Sequence, residues 1–238
     1  MNDAELSGRL SEVREAEARL AAMVAGLDDA ALGEPSLLPG WTRGHVLAHV
    51  ALNAHSLVNL FTWARTGVET PQYPSWEERD AAIEEHSKRT LAQHRDALAG
   101  AGGAFQDAAK AVPLDRWSFQ VSGIGGSPQP AETFLFGRLR EVEIHHVDLT
   151  AGYAPADWPT GFVGRVLAET RARLSSGAST PFAAVATDLD VRIDIGDAAA
   201  EVEVAGAGHE LLAWLLGRSA GTTLEVRGGT LPEVPTWG

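Results

Sequence analysis

The stretch around which this chain is organised reads Glu141-Val142-Glu143-Ile144-His145-His146-Val147-Asp148-Leu149. Glu141 and His145 stand four positions apart, which on an α-helix places both side chains on one face, one turn from each other. A carboxylate oxygen and an imidazole nitrogen at that spacing can bind one divalent metal ion. Two ligands on one helix do not complete a metal site, so the stretch predicts a third ligand elsewhere in the chain.

The composition is that of an ordinary globular protein with enough apolar residues for a sizeable core. The chain has 238 residues, of which 45% are hydrophobic and 21% charged. Its formal net charge is −13 and it contains no lysine-rich run, which argues against nucleic acid or an anionic membrane as a partner. We expect small-molecule partners, and a small anionic substrate would need arginines placed at its site.

The sequence contains no cysteine, which excludes disulfides, a thiolate-ligated zinc and a cysteine nucleophile. Any thiol chemistry would therefore take its sulfur from another molecule. Residues 1–6 lack the basic start and apolar core of a signal peptide, and no apolar run approaches the ~20 residues of a membrane span. We expect a cytoplasmic protein, and its evenly distributed negative charge favours a monomer.

Residues 1–152 read as a helical domain. The predicted helices, which follow from apolar residues recurring every three to four positions, span residues 3–26, 43–65, 75–98 and 131–151. The glycines between Gly100 and Gly103 are expected to end the third helix, with a separate short helix after them, and Pro130 suits the first turn of the fourth. Four helices in this length fit an antiparallel bundle.

Residues 153–238 show a different pattern, which predicts a smaller α+β domain. Apolar and polar residues alternate in 189–195 and 200–205, as in half-buried strands, and a last strand is predicted at 224–226. Helices are predicted at 160–175 and 209–219.

The second predicted helix offers candidates for the missing metal ligand, because His45, His49 and Asn53 lie on one stripe of it. If this helix lies beside the fourth, either histidine could reach Glu141 and His145. Two histidines and one carboxylate with an open position are a common way to hold a catalytic zinc. Each residue alone also has a structural interpretation: the histidines as surface or hydrogen-bonded interior groups, and Glu141 as a solvated helix charge.

Five segments resemble a known family. Gly40-Trp41-Thr42-Arg43-Gly44-His45-Val46-Leu47-Ala48-His49-Val50 resembles the start of the second helix in the DinB-like four-helix metalloproteins. The whole chain is similar to the mycothiol-dependent maleylpyruvate isomerases within that group. The further segments that carry this resemblance are Asn53-Ala54, Thr66–Tyr73, Arg140–Leu149 and Leu216-Gly217-Arg218. The fold class implied is α+β, with an N-terminal DinB-like four-helix bundle and a smaller, sterol-carrier-like α/β domain at the C-terminus.

The resemblance implies which side chains hold the metal ion. The family's ligands correspond to His49, Glu141 and His145 in this sequence, and one zinc ion per chain is expected. His45 and His146 are then not ligands. His45 would either contact a ligand without binding the metal itself or be a buried histidine at the helix start, and His146 would be structural. The residues themselves give two further expectations. Glu143 is expected to be a solvated charge on the helix surface, and Asp148 is expected either to orient a ligand or to cap the end of the bundle.

The activity implied is the mycothiol-dependent isomerisation of maleylpyruvate to fumarylpyruvate. A thiolate that adds to the conjugated double bond makes it single, so rotation and elimination yield the trans isomer, and zinc coordination would keep the thiol deprotonated. Two alternatives remain open on the residues alone. One is a mycothiol S-transferase acting on another electrophile, and the other is a metal- or ligand-binding protein without catalysis.

The dianionic substrate requires cationic groups, and the resemblance implies that Arg218 binds it from the C-terminal domain. The catalytic residues expected are therefore Arg218 and the zinc ligand His49. Arg79, Arg138 and Arg140 are secondary candidates for the same role. The glycine-rich segment Ser122–Pro128 is predicted to be a loop, and no role is assigned to it.

Overall fold

The chain divides into two structural units, Met1–Tyr153 and Ala154–Gly238. The computed structural model describes residues 1–174, 181–196 and 199–234.

The first unit is a helical bundle with one short pair of strands. Its elements are α1 (Asp3–Val24), α2 (Arg43–Thr66), α3 (Trp76–His86), α4 (Leu91–Lys110), β1 (Gln120–Val121), β2 (Gln129–Pro130) and α5 (Thr133–Asp148). Helices α1 and α2 each pack against both α4 and α5, while α3 lies on α2. The four long helices thus enclose one core, and α2 and α5 are direct neighbours in it.

The core-facing sides of the helices follow from their apolar spacing. The buried residues of α1 recur every three or four positions and are Leu6, Leu10, Val13, Ala16, Leu20 and Val24. Helix α2 is buried around most of its circumference, as expected for a helix covered by three others. The polar residues that it carries, among them His49 and Asn53, are therefore held inside the protein.

The predicted third helix begins where expected, at the Ser75 N-cap, but its course beyond His86 is wrong. The structure has two helices there, because Thr90 begins a new one: its side chain accepts from the Gln93 N–H and the Gln93 side chain accepts from the Thr90 N–H. Helix α4 then continues through Gly100–Gly103 instead of ending there, so the short helix expected after these glycines is part of α4. Packing of α4 against α1 and α2 outweighs the cost of about 1 kcal/mol for each helical glycine.

Gly102 also has a structural reason to lack a side chain. A Cβ atom at this position would lie 2.9 Å from Glu17 Oε2 on α1. Glycine at this position therefore leaves space for the Glu17 carboxylate, which forms an ion pair with the buried Arg138.

Helix α5 is shorter than predicted at both ends. Pro130 lies in β2, where it pairs with Gln120, and the helix begins only at Thr133. At the other end, the Arg43 side chain donates to the carbonyl oxygens of Leu149 and Thr150 at 2.7 and 3.0 Å. The start of α2 thereby satisfies carbonyl groups that follow the last turn of α5.

The second unit contains a four-stranded sheet and two helices. Its elements are α6 (Thr160–Leu174), β3 (Phe182–Ala186), β4 (Val191–Ile195), β5 (Val202–Gly206), α7 (Gly208–Leu215) and β6 (Glu225–Arg227). The strand order is β4-β3-β5-β6, with β3 parallel to β5 and the other neighbours antiparallel. Helices α6 and α7 pack on each other, and α7 contacts β3 and β5. The α+β fold class is therefore confirmed.

Strand β3, which is central in this sheet, was not predicted. Its sequence Phe182-Ala183-Ala184-Val185-Ala186 has no alternation, because all but one of its side chains are buried. A short continuous apolar run of this kind cannot be distinguished from a buried helical segment by periodicity.

Candidate metal centre

Helices α2 and α5 bring three predicted ligands together. Glu141 Oε2 lies 2.9 Å from His49 Nε2 and 3.5 Å from His145 Nε2. One potential ligand atom from each residue lies within 4.8 Å of the others. The two imidazole rings stand edge to face, with centroids 4.6 Å apart, so their nitrogens converge on the carboxylate.

Asp148 orients the His145 ring through its Nδ1 atom, the ring nitrogen that does not face Glu141. Its Oδ2 lies 2.8 Å from His145 Nδ1, and the Asp148 side chain is fully buried. This contact holds a proton on Nδ1 and turns Nε2 towards the centre, which is the usual arrangement of metal-binding histidines. The backbone carbonyl of Asp148 also accepts from the Leu37 N–H at 2.8 Å, so the residue both orients His145 and fastens the loop before α2.

The electrostatics of the cluster favour an ionised carboxylate between two imidazoles. Burial alone would raise the pKa of Glu141, but hydrogen bonds with His145 and His49 hold that pKa well below its usual value. Burial likewise opposes charge on His145, yet its bonds to Asp148 and Glu141 raise its pKa to about 9. The pKa of His49 is lowered, chiefly by burial. The metal-free cluster therefore holds its proton on His145.

Arg79 and Trp41 cover His49. Arg79 Nη2 donates to His49 Nδ1 at 3.3 Å from the first turn of α3. The Trp41 ring lies 5.7 Å from the His49 ring and 6.1 Å from that of His45. Arg79 was only one of several cationic candidates in the sequence; the packing of α3 on α2 is what places it beside a predicted ligand.

The other two histidines of the motifs have structural contacts. His45 Nδ1 accepts from the Thr42 N–H at 3.2 Å, which caps the start of α2, and its Nε2 lies 3.0 Å from Glu84 Oε2. His146 is buried and its ring stacks on that of Tyr153, with centroids 3.7 Å apart. These contacts give each ring a role that needs no metal ion, and the exclusion of both residues from the ligand set stays a prediction.

The expectation for Glu143 is wrong. Its side chain is buried, forms an ion pair with Arg19 and accepts from the Tyr153 hydroxyl at 2.6 Å. The face of α5 opposite the metal centre packs against α1 rather than facing solvent, so Glu143 is enclosed and needs these partners.

Arg138 cannot serve as a substrate clamp. It is 1% exposed, and its guanidinium donates to Glu17 Oε1 at 2.8 and 3.0 Å, to the Val50 carbonyl at 2.8 Å and to Asn53 Oδ1 at 3.0 Å. The guanidinium of Arg138 is therefore engaged in hydrogen bonds inside the bundle. Arg138 itself lies one helical turn before Glu141.

The glycine-rich loop Ser122–Pro128 packs beside the segment that follows α2. The Ile124 N–H donates to Gln72 Oε1 at 2.8 Å, and the Gln72 amide donates to Ser56 of α2 at 3.1 Å. A Cβ on Gly123 would lie 3.0 Å from the same Gln72 oxygen, and one on Gly125 would lie 3.3 Å from the Trp76 ring. The glycines thus let this loop lie close against Gln72 and the start of α3.

Tyr73, to which the sequence assigned no role, directly follows Gln72 and is largely buried. Burial raises the pKa of its phenol, and the charges of Arg79 and Glu141 act on it. The side chain therefore lies within electrostatic range of the candidate centre. A tyrosine in a proline-flanked loop carries no periodic signal by which its position could have been predicted.

Arg218 lies in the second unit, directly after α7. Its N–H donates to the Ala213 carbonyl at 2.7 Å while Gly217, with φ of 73°, makes the turn that ends the helix. Its guanidinium donates to the Leu216 carbonyl at 2.7 Å. Its role as a clamp stays a prediction.

The donor set fits a divalent metal ion. Two imidazole nitrogens and one carboxylate oxygen converge, one imidazole is oriented by a buried aspartate, and further coordination positions remain for solvent or substrate. The fold and this site define a class of protein: a helical bundle with a two-histidine, one-carboxylate centre between adjacent helices.

Comparison with known proteins places the chain more narrowly within that class. A family model described as the mycothiol maleylpyruvate isomerase N-terminal domain matches residues 13–150. A crystal structure of the mycothiol-dependent maleylpyruvate isomerase is 33% identical, with a TM-score of 0.91 over 98% of this chain and 97% of that chain. A histidine-to-alanine mutant of that enzyme matches equally well. The chain therefore belongs to the family of mycothiol-dependent maleylpyruvate isomerases.

A more distant likeness concerns the bundle alone. YfiT from Bacillus subtilis, described as a probable metal-dependent hydrolase with an unusual four-helix bundle topology, has a TM-score of 0.53 at 18% identity. The match covers 63% of this chain and 86% of that one, and it shows a common fold only. Comparison with curated proteins finds no match. Within the described residues, every helix is too short or too polar to cross a membrane.

Proposed function

We propose that this protein is a zinc-containing isomerase that converts maleylpyruvate to fumarylpyruvate with mycothiol as its thiol cofactor. The observation that carries the proposal is the match to an enzyme of this activity over nearly the full length of both chains, combined with the three converging donors. The absence of cysteine from the chain agrees with a thiol supplied by another molecule.

We infer that His49, Glu141 and His145 hold one zinc ion. The bound zinc and mycothiol would supply a thiolate at neutral pH, whose reversible addition turns the substrate's double bond into a single bond. The chain's own residues act around that chemistry. Asp148 keeps His145 in the tautomer that binds metal, Glu141 supplies one negative charge, and Trp41 lies against His49 and limits the approach of water from that side.

The proposal includes an arginine for the substrate's carboxylates. Arg218 is our candidate from the second unit, because a guanidinium binds a carboxylate with two parallel hydrogen bonds. The partners are then a small dicarboxylate and a low-molecular-weight thiol. Such thiols are kept reduced in the cytoplasm, where we expect the protein to act as a monomer.

The decisive experiment follows the absorbance of maleylpyruvate in the presence of the zinc-loaded protein, with and without mycothiol. Isomerisation should require both the protein and the thiol. The Glu141→Gln variant keeps the size of the side chain but removes the anionic ligand, and it should lose stoichiometric zinc together with turnover. The matched control is Glu77→Gln, an exposed residue of α3, which should keep both.

Three results would each contradict a part of the proposal. Turnover without any thiol would exclude the thiol mechanism. Absence of turnover with zinc, mycothiol and maleylpyruvate all present would exclude this substrate, and the same protein would then be assayed for transfer of mycothiol to other electrophiles. Stoichiometric zinc in Glu141→Gln would remove that residue from the ligand set.

A further inference from the structure

The two predicted histidine ligands have opposite partners on their second ring nitrogen. His145 Nδ1 faces the carboxylate of Asp148 at 2.8 Å, an acceptor. His49 Nδ1 faces the guanidinium of Arg79 at 3.3 Å, which has donors and no acceptor. The proton of the neutral His49 ring therefore lies on Nε2, from which it is donated to Glu141 Oε2 at 2.9 Å.

This arrangement suits the metal-free centre and conflicts with a metal-bound one. When His49 Nε2 serves as a metal ligand, the ring proton must lie on Nδ1. Two donors, the Nδ1–H of His49 and the N–H of Arg79, would then point at each other. The hydrogen bond between Arg79 and His49 cannot persist, so the guanidinium must move away from the ring.

The remaining contacts of Arg79 allow that movement. The guanidinium donates to Asp80, whose side chain is 65% exposed, at 2.6 Å. It also lies 5.5 Å from the centroid of the Trp76 ring, and Trp76 is 53% exposed. Contacts of charges with such exposed partners are weak. Arg138, in contrast, is fixed inside the bundle by Glu17, Val50 and Asn53.

The charge of the centre gives the released guanidinium a function. In the metal-bound centre the carboxylates of Glu141 and Asp148 would offset the two positive charges of a divalent ion, so a substrate with two more carboxylates would bring uncompensated negative charge beside it. An anion binding beside His49 needs a cation there, and the structure has Arg79 in contact with this histidine.

We propose that Arg79 binds a carboxylate of the substrate and that it becomes available for this when His49 Nε2 takes up a metal ion. The inference rests on the proposed function for the identity of the substrate, a cis-dicarboxylate. It predicts that the two sites are coupled: a metal ion bound at His49 raises the affinity for an anion at Arg79, and a bound anion raises the affinity for the metal ion.

The test uses maleate, a cis-dicarboxylate, as probe in the absence of any thiol, and calorimetry measures its binding to zinc-loaded and zinc-free protein. Wild type should bind maleate at least about 10-fold more tightly when zinc-loaded. The Arg79→Met variant keeps the length of the side chain without its donors, and it should lose about 10-fold or more of the affinity of the zinc-loaded protein. Arg65→Met, at an exposed position of α2, should behave as wild type.

Zinc affinity, measured by competition with a chromophoric chelator, provides the second readout. Removing Arg79 should leave zinc affinity unchanged or increase it, because a hydrogen bond that competes with metal binding is lost. A decrease in zinc affinity would overturn the inference, since it would show that Arg79 orients His49 for the metal. Equal affinity of Arg79→Met and wild type for maleate would also overturn it.

Failure of the proposed function would be recognised separately. If wild type does not isomerise maleylpyruvate but Arg79→Met loses zinc-dependent binding of maleate, the anion site stands and the activity is a different one. If wild type isomerises the substrate and Arg79→Met keeps the KM of wild type, the activity stands and the role of Arg79 is refuted.

Discussion

His145 is the residue at which protonation and metal binding compete most directly. Its pKa is raised to about 9, since its bonds to Asp148 and Glu141 outweigh the effect of burial. A histidine with a raised pKa is protonated below that value, so at pH 7 a metal ion must displace a proton from the ring. The competition disappears as the pH rises through about 9. The same Asp148 that raises this pKa also orients the ring for the metal.

These two effects of Asp148 predict a pH-dependent phenotype for Asp148→Asn. At pH 9.5 proton competition is weak, and loss of the orienting carboxylate should reduce zinc affinity by about 10- to 100-fold. At pH 7 the difference in zinc affinity from wild type should be smaller. Without the Asp148 carboxylate the pKa of His145 is less raised, so a smaller fraction of the variant carries the proton that competes with zinc. Chelator competition at the two pH values measures both. A difference that grows towards pH 7 would contradict the assigned protonation of His145.

At the scale of the elements, the centre depends on how α2 and α5 are held together. Arg138 of α5 donates to the Val50 carbonyl and to Asn53 Oδ1, both on α2, and to Glu17 of α1. Asn53 lies one turn after His49, and Arg138 lies one turn before Glu141. This buried network therefore joins three helices directly beside the metal ligands, and Gly102 of α4 leaves the space for Glu17.

Removing one partner of this network should be costly. Arg138→Met leaves the carboxylate of Glu17 without its cation, in a site where it is only 18% exposed, and we expect a loss of about 3 kcal/mol of unfolding free energy. The double variant Glu17→Gln/Arg138→Met should recover part of that loss, because no unpaired charge remains. Urea unfolding of the zinc-free proteins measures both. A loss below about 1 kcal/mol in the single variant would show that water replaces the arginine.

At the scale of the whole molecule, the protein combines a bundle that carries the candidate centre with a second unit that carries Arg218. Within its own unit, Arg218 ends α7 through its backbone, and its side chain reaches a carbonyl two residues earlier.

Arg218→Ala should raise the KM for the dicarboxylate by about 10- to 100-fold, as expected for the loss of a charge-assisted pair of hydrogen bonds. Zinc content should not change. The control is Arg227→Ala, since Arg227 is 68% exposed on β6 and its ion pairs there contribute little. Unchanged kinetics in Arg218→Ala would remove this residue from the substrate site.

Features that depend on near neighbours in the chain could be predicted. The helical period places Glu141 and His145 on one face, and this face meets His49 in the structure. Even so, the residues alone left His45 and His49 as equal candidates, and only the resemblance to a family selected His49. The helical N-terminal half and the alternating strands of the second half followed from the same local patterns.

The fold class and the helical phase of Glu141 and His145 could therefore be predicted from local patterns, because both follow from repeats of a few residues. The tertiary structure alone decided the burial of Glu143, the continuation of α4 through its glycines, the place of β3 in the sheet and the contact of Arg79 with His49. Each of these depends on a partner far away in the chain. Periodicity describes one element at a time, whereas these contacts arise only when the elements pack.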